Sequence, residues 1–224
     1  MDVRADMVGG DMTAERLRAL ARQRLHAEPS EAIFDPRSGR AIGRGDWDLN
    51  PDLKADLDAM EAPRPAAVLI GIVTRPVLTV LLTQRAAVLR SHAGQIAFPG
   101  GKMEPGETSP ITTALREAQE EIGLFPDLVE PLGFLDSYRT GTGFEIAPVV
   151  ALVQPRFHIR LDRAEVDDVF EVPLGFLMDE ANHQQHQREW RGRMRAYYAM
   201  PYGERYIWGA TAGMIKNLHE RLFA

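Results

Sequence analysis

Between residues 12 and 25, apolar side chains recur at helical spacing: Leu17, Leu20, Ala21 and Leu25, with Thr13 placed to cap the start. The pattern dissolves over 28–64. Pro29, Pro36, Gly39, Gly43, Gly45, Pro51, Pro63 and Pro65 punctuate that stretch, which predicts loops, a short helix near Leu53–Met60 and a boundary near Pro63–Pro65. Ala66–Val73 and Val77–Thr83 are then apolar and β-branched, split at Arg75-Pro76, and read as a hairpin. Pro110–Ile122 reads as a helix: Ser109 suits the N-cap, Pro110 the first helical position and Gly123 the C-cap. Further strands are predicted at Leu132–Tyr138, Phe144–Val153, Val169–Val172, Arg195–Met200 and Arg205–Ile207. A last helix, about Ala210 to Leu222, carries Ala212, Ile215, Leu218 and Leu222 on one face. The polar run His183, Gln184, Gln185, His186, Gln187 reads as an exposed loop. Strands and helices intersperse without strict βαβ alternation, which favours an α+β fold, a mixed sheet with helices packed on its faces. The expected organisation is an N-terminal helical and loop extension over 1–62, then one domain over 63–224.

Composition narrows the classes. Of 224 residues, 45% are hydrophobic, enough for a real core, and the net charge of -6 argues against a DNA-coating protein. The chain has no cysteine, which removes a disulfide scaffold, a thiolate metal site and a cysteine nucleophile together. The N-terminus, with early acids and no apolar run, does not read as a secretory signal, and a cytoplasmic protein is expected. No apolar stretch approaches the roughly 20 residues that span a bilayer. The six histidines show no ligand spacing, and His92, His183 and His186 are expected at the surface.

The informative chemistry lies in Phe98-Pro-Gly-Gly-Lys102 through Leu124. On a helix, Glu117, Glu120 and Glu121 fall at i, i+3 and i+4, so three carboxylates share one face and repel one another. Hard divalent cations reverse that penalty, since Mg²⁺ takes oxygen ligands. Gly100-Gly101 allows backbone to approach a metal or phosphate closely and offers a carbonyl as a further ligand. Acidic helix faces are usually solvated and paired with Arg. The adjacent Gly-Gly loop, the apolar strand before it and Arg116 beside the acids move the reading toward metal binding.

The segment resembles the Nudix box: Gly101, Glu107, Arg116, Glu117, Ala118, Glu120, Glu121, Gly123 and Leu124 occupy its places, with eight residues rather than seven between Glu107 and Arg116. The preceding stretch is similar to that of coenzyme A pyrophosphatases, through Leu81, Leu82, Thr83, Arg85, Ala86, Arg90, Gly94, Phe98, Pro99, Gly100 and Gly101. That subfamily tends to carry the longer box spacing. The resemblance covers about residues 64–222 and implies a Nudix fold of α/β/α sandwich type, with the box helix and a C-terminal helix on a mixed sheet.

It also implies a metal-dependent enzyme acting on phosphorus-containing anhydrides. The expected reaction splits CoA or acyl-CoA into 3',5'-ADP and the (acyl-)4'-phosphopantetheine. A nucleoside-diphosphate sugar or a dinucleotide is the alternative substrate, and a non-catalytic Nudix binding module the alternative class. Mg²⁺ or Mn²⁺ would be held by Glu117, Glu121 and Glu120, with the Gly101 carbonyl. Arg116 pins Glu107 or Glu120, and Glu107 supports the ligands from behind. Glu165 is the leading general base from outside the box, with Glu145 and Glu120 as alternatives. Arg85, Arg90 and Lys102 are substrate-binding candidates, with a salt bridge as the alternative for the two arginines and a solvated loop position for Lys102. Arg139 is a further candidate, expected with Tyr138 and the Gly141-Thr-Gly143 turn at a hairpin tip near the site that contacts substrate. Trp190, Tyr197 and Tyr198 read as packing aromatics rather than adenine stackers. The expected partner is the small-molecule substrate, without nucleic acid or membrane, and with a homodimer left open.

Overall fold

A computed structural model describes residues 12–35, 43–54, 62–190 and 192–223. Helix α1 (Ala14–Arg24) begins where the Thr13 hydroxyl accepts the Arg16 amide at 3.2 Å, and it buries Leu17 and Ala21. Of the helix expected at 53–60, Leu53 and Lys54 are helical, and residues 55–61 lie outside the described ones. The first strand, β1 (Arg44–Gly45), is two residues long, and no periodicity announces it.

Strands β2 (Arg64–Val73) and β3 (Thr79–Arg85) form the expected hairpin, but they pair only at Ile72–Val80 and Val73–Thr79. Beyond those pairs they splay. The chain from β4 (Ile96–Ala97) to β5 (Gly100–Lys102) fills the wedge, β4 pairing with β3 and β5 with β2. The Gly-Gly loop is therefore seated in the sheet rather than hung from it. Helix α2 (Pro110–Ile122) follows, with the predicted bounds. The strand expected at 132–138 is two pieces, β6 (Val129–Phe134) and β7 (Tyr138–Arg139). Between them Asp136 turns away to meet Asn217, Arg221 and His26.

The long strand β8 (Phe144–Val153) runs parallel to β2 over its whole length. Then come β9 (Val166–Pro173), the short helix α3 (Leu174–Met178), β10 (Gln184–Trp190), β11 (Arg193–Tyr202), β12 (Arg205–Trp208) and α4 (Ala210–Phe223). The polar run 183–187 is thus not a loop: from Gln184 it is the edge strand of a three-stranded sheet, paired with β11. His183 is half-buried, its ring set edge-on against His219 at 5.3 Å, rather than exposed.

The main sheet has nine strands, ordered β1-β7-β8-β2-β3-β4, with β5 on β2, β6 on β8 and β9 on β3. Alternation along β2 and β8 sends Ile70, Ile72, Val150 and Leu152 to one face, where they pack with Leu17 of α1, Leu177 of α3 and Ile215 and Leu218 of α4. The other face carries smaller residues, Ala67, Ala147 and Ala151, against Ala114, Ala118 and Ile122 of α2. Alanine facing alanine lets α2 lie close on the sheet, which brings its acidic face level with the wedge. The result is an α/β/α sandwich of α+β class. Among the described residues no helix is long and apolar enough to cross a membrane.

Candidate active site

Pro110 opens α2 without an orphaned amide, and Gly123 closes it in the left-handed conformation (φ 72°), its amide bonded back to Ala118 and Gln119. Ser109 stands at the N-cap but makes no side-chain cap bond. Between these ends the three glutamates share a helix face but not an environment. Glu121 is buried at 4% exposure, Glu117 is half-buried, and the Glu120 side chain is 59% exposed.

Arg116 organises one side of the site. Its Nε donates to Glu107 Oε1 at 3.0 Å, its Nη1 to Glu117 Oε1 and Glu120 Oε2 at 2.9 Å each, and its Nη2 to the Lys102 carbonyl at 3.1 Å. Glu107 also accepts from the Glu104 amide and the Thr113 hydroxyl, both at 2.7 Å. The Arg116 bond, joined by these two donors, outweighs burial and holds the Glu107 carboxyl down at about 2. The eight-residue spacing thus leaves Glu107 in reach of Arg116, because the loop before Pro110 folds it back.

The other side is built differently. Glu121 accepts the Gly100 amide at 3.2 Å and lies in no ion pair among the described residues. Burial pushes its carboxyl up to about 8, and the charges of Glu117 and Glu165 add to the rise, against the Gly100 amide and Arg85. Glu117 is raised too, first by burial, with Glu120 and Glu165 adding and Arg116 opposing. Glu165, exposed on the loop before β9, is near enough for its charge to act on both inner carboxylates. Its carbonyl accepts the Ala86 amide at 2.8 Å, which ties its loop to the end of β3 next to Arg85. Arg85 is half-buried in the same corner, and its Nε has no hydrogen-bond partner among the described residues.

A Cβ at Gly100 would lie 2.4 Å from the Ala67 carbonyl, so that position has no room for a side chain, and one at Gly101 would lie 2.4 Å from Glu117 Oε1 and displace that carboxylate. Among the described residues no three His, Asp or Glu side chains already converge as a cation cage, with Arg116 holding Glu117 and Glu120. The donor set nevertheless fits a hard divalent ion: it is all oxygen, and its innermost carboxylate is buried without a counter-ion.

The remaining candidates are dispersed. Arg90 is exposed in the loop 86–94, and Lys102 is exposed on β5 with its carbonyl bound to Arg116. Arg139 donates from Nε to the buried Glu145 at 2.7 Å, so Glu145 is half of an ion pair one strand beyond β2. Trp190 lies against Gly141, Tyr197 packs edge-on to Trp208 at 5.2 Å, and Tyr198 joins the α4 side of the core. No chemical motif marks Asp46, whose carboxylate accepts the Tyr138 hydroxyl and the Gly141 amide. Its available signal was the alternation of glycine in Gly43-Arg-Gly-Asp46, which suits a backbone pressed against another strand.

Residues 63–193 match the NUDIX domain. The chain belongs to the Nudix family. Proteins named uncharacterized Nudix hydrolase NudL are similar over much of it. That of Klebsiella pneumoniae (strain 342) is 41% identical over 155 residues, 69% of this chain and 81% of that protein. That of Photorhabdus laumondii is 40% identical over 159 residues, 71% and 85% of the two chains. Among solved structures, the NUDIX domain of Shewanella oneidensis NrtR complexed with ADP ribose is 20% identical with a TM-score of 0.46, over 77% of this chain and 98% of that one. A C. elegans Ap4A hydrolase is 20% identical with a TM-score of 0.43, over 49% and 80%. The protein is a Nudix pyrophosphohydrolase. Enzymes of this family generally work with divalent ions such as Mg²⁺ or Mn²⁺ on small-molecule substrates.

Proposed function

We propose that this Nudix enzyme hydrolyses the diphosphate of coenzyme A or acyl-CoA, releasing 3',5'-ADP and the (acyl-)4'-phosphopantetheine, in the cytoplasm. The observation that carries the reading is Arg85. It is the arginine of the segment similar to coenzyme A pyrophosphatases, and its unpartnered Nε stands in the corner with Glu121 and Glu165. The guanidinium already opposes the rise of Glu121, and its unpaired Nε, costly to leave buried, is suited to receive an arriving anion. Arg90, on the loop that leaves the same strand end, adds a second cation for the phosphates of a bisphosphorylated adenosine.

Glu117 and Glu121, with Glu120 and the Gly101 carbonyl, would hold Mg²⁺ or Mn²⁺. Bound there, the ion neutralises diphosphate charge and lowers the pKa of the attacking water. Arg116 and Glu107 keep the ligands and the glycine loop in register. Arg85 orients the diphosphate. Glu165 takes the proton from water as oxygen attacks phosphorus, and the displaced phosphate leaves as an anion. Glu165 is favoured over Glu120 because its exposed carboxylate lies near enough for its charge to act on both inner carboxylates, while Glu120 is held by Arg116. It is favoured over Glu145 because that residue is committed to Arg139.

Purified protein incubated with CoA and Mg²⁺ or Mn²⁺ is expected to yield 3',5'-ADP and 4'-phosphopantetheine on chromatography. Intact CoA beside rapid turnover of a nucleoside-diphosphate sugar or a dinucleotide would overturn the assignment.

A further inference from the structure

Residues 43–54 precede the stretch that matches the NUDIX domain, yet they are built into both sheets. β1 pairs in parallel with β7, Arg44 beside Tyr138 and Gly45 beside Arg139, with the Arg44 amide donating to the Ser137 carbonyl at 2.7 Å. Side chains are excluded there: a Cβ at Gly43 would lie 2.3 Å from the Ser137 carbonyl oxygen, and one at Gly45 would lie 2.8 Å from that of Arg139. The chain then passes over the end of β7. Asp46 Oδ1 accepts the Tyr138 hydroxyl at 3.0 Å, and Oδ2 accepts the Gly141 amide at 2.7 Å.

Farther on, the segment takes hold of the small sheet. Asn50 acts as a strand neighbour to Ala196, its Nδ2 donating to the Ala196 carbonyl and its Oδ1 accepting the Ala196 amide, each at 2.8 Å. The Asn50 Nδ2 also donates to the Asp46 carbonyl at 2.8 Å, and Arg195 Nη1 donates to Asp52 Oδ2 at 2.7 Å. The turn 140–143 is thus gripped from two sides, by Asp46 and by Trp190, whose ring would lie 3.4 Å from a Cβ at Gly141.

The register links this turn to the active site. β8 leaves it at Phe144, and its Ala147 stands beside Ala67 of β2, which stands beside Gly101. Glu145 is two residues before Ala147, on the same face as α2, and it holds Arg139. The turn and its ion pair therefore border the same face of the sheet as the Gly-Gly loop, two strands across from it.

We infer that Asp46 is a positioning residue of the enzyme: by fixing the Tyr138–Gly143 turn and the Arg139–Glu145 pair, it shapes the border of the α2 face of the sheet, where the part of the substrate remote from the diphosphate would lie. This rests on the hydrolase reading above. A contact made far from the reacting phosphorus is uniform binding, so its loss raises KM and spares kcat.

The experiment uses the full-length protein with Mg²⁺ and CoA, comparing Asp46→Asn, Tyr138→Phe and the unmodified chain by steady-state kinetics and by hydrogen exchange at the Gly141 amide. Asp46→Asn is expected to speed Gly141 exchange and to raise KM about tenfold with kcat within about twofold. Tyr138→Phe, which removes one bond and keeps the ring, is expected to shift KM the same way by less. Unchanged Gly141 exchange in Asp46→Asn, or faster exchange with KM unaltered, overturns the inference. If Asp46→Asn does not fold, Tyr138→Phe decides, and an unaltered KM there overturns it. If the unmodified protein leaves CoA intact, the substrate reading fails by itself. The kinetics then move to whichever diphosphate it does cleave, and the same KM criterion applies.

Discussion

On the Arg116 side of the glycine loop, Glu107 receives a guanidinium, a hydroxyl and an amide. On the other side, Glu121 receives the Gly100 amide and the unfavourable charges of Glu117 and Glu165. The same side chain is held down at about 2 in the first place and pushed up to about 8 in the second. Burial is the largest influence on Glu121 and the Arg116 bond the largest on Glu107, so the two differ both in depth of burial and in the supply of donors. The Arg116 side is completed by the protein itself and sets the shape of the loop. The Glu121 side is electrostatically incomplete, which is what the proposed binding of a cation and an anionic substrate there requires.

The largest expected effect breaks the incomplete side. Glu121→Gln keeps the shape and the Gly100 contact but removes the charge that would hold the ion. Turnover is expected to fall by about a thousandfold or more, since a lost metal contact costs several kcal/mol in the transition state. Folding survives, as far-ultraviolet circular dichroism checks. Unchanged activity would remove Glu121 from the metal site.

Glu107→Gln tests the completed side. Arg116 loses its main partner and swings its charge toward Glu117 and Glu120. A fall in kcat/KM of roughly 10- to 100-fold is expected, the usual consequence of losing a residue that supports metal ligands. Unlike Glu121→Gln, this variant should also lose stability, by about 1.5–3 kcal/mol in urea unfolding, because hydrogen bonds to charged groups are broken. If Glu107→Gln were as stable as the unmodified protein, the division between the two sides would be wrong.

The pH dependence of stability should carry the two signs separately. Glu107 is depressed in the folded state, so its contribution is present above about 4.5 and is lost as pH falls toward 2. Glu121 is raised, so without added metal the folded state binds the extra proton between about 4.5 and 8, and stability declines as pH climbs through that window. Urea midpoints measured in chelator across pH 5–8 should show this decline, reduced in Glu121→Gln and reduced by Mg²⁺. A slope identical in all three would contradict the incomplete-side account.

How much of this was legible in sequence follows the range of the interactions. Helix α2 was readable to its bounds because Pro110, Gly123 and the Ala114–Ile122 face are local signals. The Glu117, Glu120 and Glu121 spacing gave the shared face but not the gradient of burial across it, which depends on how near the alanine-faced helix lies to the sheet. β10 was missed because an edge strand of Gln184, Gln185, His186 and Gln187 shows no apolar alternation, and its pairing with β11 is what makes it a strand. The splay of the β2–β3 hairpin, which seats the glycine loop, is set by β4 and β5 inserting from 96–102. The Asp46 contacts lie 92 and 95 residues apart in sequence, beyond the reach of any local pattern.

The smallest expected effect sharpens the boundary of the incomplete side. Arg85 and Arg90 come from one sequence segment, but Arg85 is half-buried beside Glu121 whereas Arg90 is exposed in the loop beyond it. If the substrate diphosphate sits at the metal and its other phosphate farther out, only Arg85 touches oxygens whose charge changes during reaction. Arg90→Ala should therefore raise KM for CoA by about tenfold and leave kcat nearly unchanged, because uniform binding is what it removes. The rise should shrink with added salt, since an exposed cation is screened over about 10 Å at 0.1 M ionic strength. Arg85→Ala should instead lower kcat. An equal fall of kcat in the two variants would place both arginines at the reacting phosphates and move the edge of the site outward to the loop.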